Sequence, residues 1–575
     1  MKKLSKVLAI IVLTSVMFSC GQKRTYQEKV SAMVSKVKAP FLIGSLNLQN
    51  LIDKSAVNED GVLPYTYQTL TSFFLQEEGT GVDYDENIKI VLAKGPMLPN
   101  MFAFFKIQDQ SLFKEMIKAE LNAKIKDKDG TNYFIKNKEG YVVAWQDETA
   151  IVANIPFDIK AMFSGNADDG HKTLNRMITL FEAADEGKIN KDYQTFLTKN
   201  NDINLFLMPD SLVDYVNQMN PLKKKNAKDE TFKDLEGSKI EITVNFENGQ
   251  AVLESNMSFS DDFLAKINFI KNKGVDAKYL QFGKTEHPVL SYSFNVDLEK
   301  YLAFVDEFSK GDLLPDINSN LSKYGLSTDD IIKAFKGEVL VMMDGFKIES
   351  KVIDYGFGEP FEEQHVEPLI GAVIGLKNSA ILTDLFANAQ PVTETIMKLD
   401  NYFVVTKEDV LFLSNDSLWA VTVANNQTKT IQTNQVITQQ PIASFTDFSN
   451  QSVAQYFKTQ GYDPTTILES IVMFTTVNQS KITVNLKDKS QNSLKVLVKF
   501  YSDMMADYEA KQNEEMEKIL DQEILDNLSE GIENLDSTLD EVSKEIDKTL
   551  QNVDIEKTVN EATKELDKIL KEINN

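Results

Sequence analysis

Apolar and polar residues alternate with a period of two over much of residues 26–503, which predicts half-buried antiparallel strands, and shorter stretches of helical period fall between them. The run Lys239-Ile240-Glu241-Ile242-Thr243-Val244-Asn245-Phe246 places Ile, Val and Phe at every second position before Glu247-Asn248-Gly249. Asn-Gly readily adopts the positive φ of a tight hairpin turn, so a return strand is predicted from Ala251 to about Ser258. A similar meander contains Tyr141-Val142-Val143-Ala144-Trp145 and Ala150-Ile151-Val152, punctuated by Asp129-Gly130 and Lys138-Glu139-Gly140. Such strands predict sheets with one buried side.

Landmarks of the first half recur in order in the second, as expected of an internal duplication. Ser45-Leu46-Asn47-Leu48 parallels Ser293-Phe294-Asn295-Val296, and Phe104-Phe105-Lys106-Ile107 parallels Val373-Ile374-Gly375-Leu376. Tyr141-Val142-Val143 parallels Tyr402-Phe403-Val404, Phe206 parallels Phe445, and Thr243-Val244-Asn245-Phe246 parallels Thr483-Val484-Asn485-Leu486. The expected fold class is α+β, with two duplicated halves of antiparallel sheet and helices, residues 39–283 and 284–503, meeting near Gly283-Lys284-Thr285-Glu286. The polar stretches Lys223 to Asp229 and Tyr355 to Pro368 read as exposed loops.

Residues 504–575 follow a helical period instead. Leu525, Ile532, Leu539, Ile546 and Val553 are seven apart, with Leu528, Leu535, Val542 and Thr549 at the complementary positions. This a/d seam predicts a long acidic amphipathic helical tail resembling a coiled coil, although Gly531 and Thr549 weaken it and a second phase begins at Ile555. Residues 525–573 are therefore expected either to join a partner or a second copy, or to fold back on their own protein.

At the other end Lys2, Lys3 and Lys6 precede an apolar run ending at Met17-Phe18-Ser19-Cys20. Charged start, short apolar core and small residue before cysteine predict a signal peptide over residues 1–19, with lipidation at Cys20 and a tether to residue 38. Cys20 is the only cysteine in 575 residues, so the mature chain forms no internal disulfide and burial alone must hold it together. Gly21-Gln22-Lys23-Arg24 lacks acidic sorting residues. An outer-membrane, lipid-anchored, periplasm-facing location is expected, with surface exposure as the alternative.

The formal charge of −25 argues against nucleic acid or anionic head groups as partners. About half of it lies in residues 505–575, where 21 Asp plus Glu face 8 Lys plus Arg. No catalytic constellation is legible: His171, His287 and His365 are far apart in sequence, in polar or turn-like segments, and no metal-ligand spacing, phosphate loop or nucleophile elbow occurs. Asp316, Asn318 and Asn320 have calcium-loop spacing, but Leu321 and Ser327 stand where such a loop needs Gly and Glu. No catalytic, cofactor-binding or metal-binding residue is assigned.

The lipobox, the segment Phe41 to Leu51 and the segment Gly325 to Val339 resemble an uncharacterised family of Bacteroidota lipoproteins carrying a domain of unknown function. The resemblance covers most of Ala39 to Asp503 and implies no catalytic residues. The leading expectation is a cell-envelope lipoprotein that binds or scaffolds without catalysis. A periplasmic carrier or chaperone of an apolar ligand is the alternative, and a hydrolase using an unidentified carboxylate pair is the third.

Overall fold

A computed structural model describes residues 24–56, 80–157, 168–219, 234–309, 311, 313–323, 325–353, 361–382, 389–459 and 462–519. The first ten strands are β1 (Pro40–Leu46), β2 (Ile88–Ala93), β3 (Asn100–Lys106), β4 (Lys126–Lys128), β5 (Thr131–Lys136), β6 (Tyr141–Gln146), β7 (Thr149–Asn154), β8 (Ile203–Leu207), β9 (Lys239–Glu247) and β10 (Gln250–Ser258). The next ten are β11 (Leu290–Asn295), β12 (Phe335–Ile353), β13 (Phe361–Leu376), β14 (Gln390–Pro391), β15 (Ile396–Leu399), β16 (Tyr402–Lys407), β17 (Val410–Ser414), β18 (Ile442–Asp447), β19 (Leu468–Thr475) and β20 (Gln479–Leu486). The hairpin read at Asn248-Gly249 joins β9 to β10, with Gly249 at φ 73°.

Among the described residues all twenty strands belong to one antiparallel sheet, and this corrects the expectation of two sheets followed by a coiled-coil tail. The seam is the pairing of β10 with β20, from Gln250 opposite Asn485 to Asn256 opposite Gln479. Each of these strands would otherwise be an edge with a row of unpaired N–H and C=O groups, and pairing them satisfies both rows. Outward from the seam the order runs β10-β9-β8-β1-β2-β3-β7-β6-β5-β4 on one side and β20-β19-β18-β11-β12-β13-β17-β16-β15-β14 on the other. The sheet ends at β4 and β14, which are short and fully exposed.

The chain divides into two compact units, 1–502 and 503–575. The helix Ser493–Ile519 is the last described element, so the heptad positions 525–573 lie outside the described residues. So does the loop Lys223 to Asp229, whereas Phe361–Pro368, read as loop, belongs to β13 and pairs with β12.

Two long helices pack on one face of β1 to β3 and β5 to β8. The helix α1 (Tyr26–Lys36) opens with a capping box, in which Thr25 and Glu28 satisfy each other's backbone N–H, and buries Val30, Met33 and Val34. The helix α2 (His171–Glu186) buries Leu174, Met177, Leu180 and Phe181, and both stripes meet Ile43, Val91 and Phe104 in one core. A second core surrounds Trp419, on the helix Ser417–Ala424, with Leu340, Val373 and Phe412. Its ring rests so close to β13 that a Cβ at Gly371 would lie 2.6 Å from it.

Candidate binding face

The face of the sheet away from these cores is apolar in register. One unbroken cross-strand row runs Ile88, Leu46, Ile203, Val244, Leu253, Ile482, Met473, Ser444, Tyr292, Val341, crossing ten strands and the β10–β20 seam. At about 4.8 Å per strand the row is about 43 Å long. Every residue in it is half-buried. Among the described residues, the segment from Ile88 to Ile482 belongs to none of the buried clusters; outside that segment, aromatic and aliphatic groups cover the rims. Phe294 packs with Phe269 and Phe304, while Met343 and Ile471 pack with Val453 of the helix Gln451–Thr459.

The neighbouring row on the opposite face is Lys89, Ser45, Asn204, Thr243, Glu254, Lys481, Phe474, Ala443, Ser293, Leu340. Its polar members at either end, Lys89, Ser45, Asn204 and Ser293, are fully buried beneath the helices. At the ends of this one row polar groups lie on the covered side, between rows that carry Ile43, Val91 and Phe206 into the core, while the aliphatic row stands on the half-open side.

Several of the buried polar groups have specific ties. The Lys89 ammonium donates to Ser45 Oγ and to the Leu197 carbonyl, both at 2.8 Å. Burial without a contacting carboxylate pushes its pKa down to about 8, the charge of Glu86 acting weakly in the other direction. At the end of β8 the buried Asp202 carboxylate accepts from Lys54 Nζ at 2.7 Å through both oxygens and from the Phe246 N–H at 2.7 Å, fastening β9. In the core around Trp419, Tyr279 donates to Glu338 Oε2 at 2.9 Å, and burial with that carboxylate raises the phenol's pKa.

Cys20 and the heptad residues lie outside the described residues. His171, His287 and His365 are all exposed and do not converge; His287 Nδ1 lies 3.3 Å from Asp447 and His171 Nδ1 lies 3.1 Å from Asp169. Asp316, Asn318 and Asn320 sit in the helix Leu313–Ser322, where the Asn318 side chain accepts from the Thr328 N–H. No group of three or more His, Cys, Asp or Glu gathers as a metal site among the described residues. The apolar row was visible in the sequence only as alternation; that its apolar side is the half-open one was not.

No protein-family model matches the chain, and comparison with curated proteins finds no match. Among solved structures, crystal form III of TP0453 aligns over 43% of this chain and 88% of its own, at 9% identity and a TM-score of 0.23. Crystal form IV of TP0453 aligns over 43% and 87%, at 10% identity and a TM-score of 0.24.

Proposed function

We propose that this chain is a non-catalytic envelope lipoprotein, anchored through Cys20, that holds an apolar, acyl-chain-bearing ligand against its sheet. The observation that carries this reading is the in-register row of half-buried aliphatic side chains from Ile88 to Ile482, which crosses the seam and belongs to none of the buried clusters of the described residues. Such a surface gains from covering apolar area at about 25 cal/mol per Å², and a lipid chain supplies that cover without demanding polar partners. This favours the carrier over a scaffold, for which apolar strands would be sealed on both sides.

The test is extraction of the full chain from its membrane followed by native mass spectrometry, together with titration by the apolar probe N-phenylnaphthylamine. Co-purified lipid and saturable probe binding are expected. Leu253→Glu, which puts a charge in the middle of the row, is expected to weaken the probe by at least about tenfold while leaving the far-ultraviolet spectrum unchanged. Absence of both lipid and probe binding, or equal binding by the variant, overturns the reading.

A further inference from the structure

The turn between β2 and β3 shows a different kind of surface. It reads Gly95-Pro96-Met97-Leu98-Pro99, and its backbone is pinned from three directions. Tyr215 Oη donates to the Met97 carbonyl at 3.0 Å, Asn154 Nδ2 to the Pro99 carbonyl at 2.8 Å and Asn100 Nδ2 to the Lys94 carbonyl at 2.6 Å. A Cβ at Gly95 would lie 2.0 Å from the Leu98 carbonyl oxygen, so the turn closes on itself. This rigid backbone holds apolar side chains outward: Leu98 is 53% exposed and Met101 38%. Val216 is 57% exposed beside Tyr215 on the helix α3 (Pro209–Met219).

Beside the turn opens a cleft of about 420 Å³ whose floor is Val37, Ala93, Phe102 and Leu180 and whose charged members are Lys36, Lys38, Lys94 and Arg176. Arg176 is held by Asn100 at 3.0 Å and by Asp168 at 3.3 Å. Lys36, Lys38 and Lys94 pair with no carboxylate among the described residues. Further along α2, Glu182 and Glu186 line a neighbouring cleft of about 350 Å³ and bound the basic surface.

We infer that this turn and cleft form a second membrane contact, which docks on the surface of an anionic bilayer. Exposed apolar groups on a stiff turn enter the head-group boundary while the lysines beside them meet lipid phosphates, the arrangement that interfacial binding requires. The chain's overall negative charge does not oppose this. Charges more than roughly 8–10 Å from the cleft are screened at physiological salt, whereas Lys36, Lys38, Lys94 and Arg176 line it directly. A lipid on Cys20 stands six residues before α1, whose 11 residues lead to Lys36, so the anchor holds the cleft within about 36 Å of the bilayer. The contact is independent of the apolar row and survives if that row carries nothing.

The protein's two tryptophans, Trp145 and Trp419, are both fully buried, so a Leu98→Trp variant of the full chain reports on the turn alone. Vesicles containing phosphatidylglycerol are expected to shift its emission to the blue and to let brominated acyl chains quench it. Pure phosphatidylcholine vesicles and inorganic phosphate are expected to do neither. Adding Lys36→Gln, Lys38→Gln and Lys94→Gln is expected to weaken vesicle binding at the turn about fivefold per lysine, on the order of a hundredfold together. No shift with anionic vesicles, or a shift indifferent to lipid charge and to the three lysines, overturns the inference. Saturable phosphate binding that requires the lysines but brings no shift on vesicles would assign the cleft to a soluble anion instead.

Discussion

Lys89 offers the sharpest test of the covered face of the sheet, because an ammonium 2% exposed and hydrogen-bonded only to neutral acceptors must affect stability in a pH-dependent way. Its pKa falls from 10.5 to about 8 on folding. At roughly 1.4 kcal/mol for each factor of ten, charging it in the folded state costs about 3 kcal/mol. Between pH 8 and 10.5 the unfolded chain binds more protons than the folded one, so stability rises with pH across this window. Below pH 8 the penalty is fully present; above 10.5 it is gone. Lys89→Met has no such titration, so the stability difference between wild type and variant should move by about 3 kcal/mol in favour of wild type from pH 7 to 10.5. Using the difference cancels the buried tyrosines Tyr26 and Tyr279, whose raised pKa values lower stability at high pH in both proteins. Urea unfolding at half-unit pH steps measures it through the shift in midpoint. A difference that stays within about 0.5 kcal/mol over the whole range would refute the placement of Lys89 on the covered face.

Two further outcomes follow from the same packing. Asp202→Ala removes the acceptor shared by Lys54 and the Phe246 N–H and is expected to cost about 3–5 kcal/mol, with faster hydrogen exchange in β9; exchange confined to the termini would contradict that role. Gly371→Ala drives a methyl into the Trp419 ring and is expected to cost about 1–3 kcal/mol with a red shift in tryptophan emission; an unchanged spectrum and melting curve would show that the ring is not seated there.

Much of the local structure could be read from residue patterns. The β9–β10 hairpin follows from alternation and Asn248-Gly249, and the strand at Ser45 enters a helix capped by Asn47, a residue type suited to that position. Pairing between β10 and β20 could not be read this way, since partners more than two hundred residues apart leave no trace in a period of two. The alternation around Lys89 was likewise ambiguous. It separates Ile88, Ile90 and Leu92 from Lys89 and Val91, but the rule that aliphatic residues go inside assigns the wrong side to the helices. Lys36, Lys38, Lys94 and Arg176 are scattered over 140 positions in sequence, and only the meeting of α1, α2 and the β2–β3 turn brings them to one cleft.

The two ends of the sheet have a consequence of their own. One terminates in Lys126-Asp127-Lys128 and the other in Gln390-Pro391, all fully exposed. Charge at the first and a ring nitrogen without hydrogen at the second make poor templates for an incoming strand. The described strands thus leave little open backbone at either end, so that copies brought close together are expected to meet through side chains and not to polymerise into ribbons.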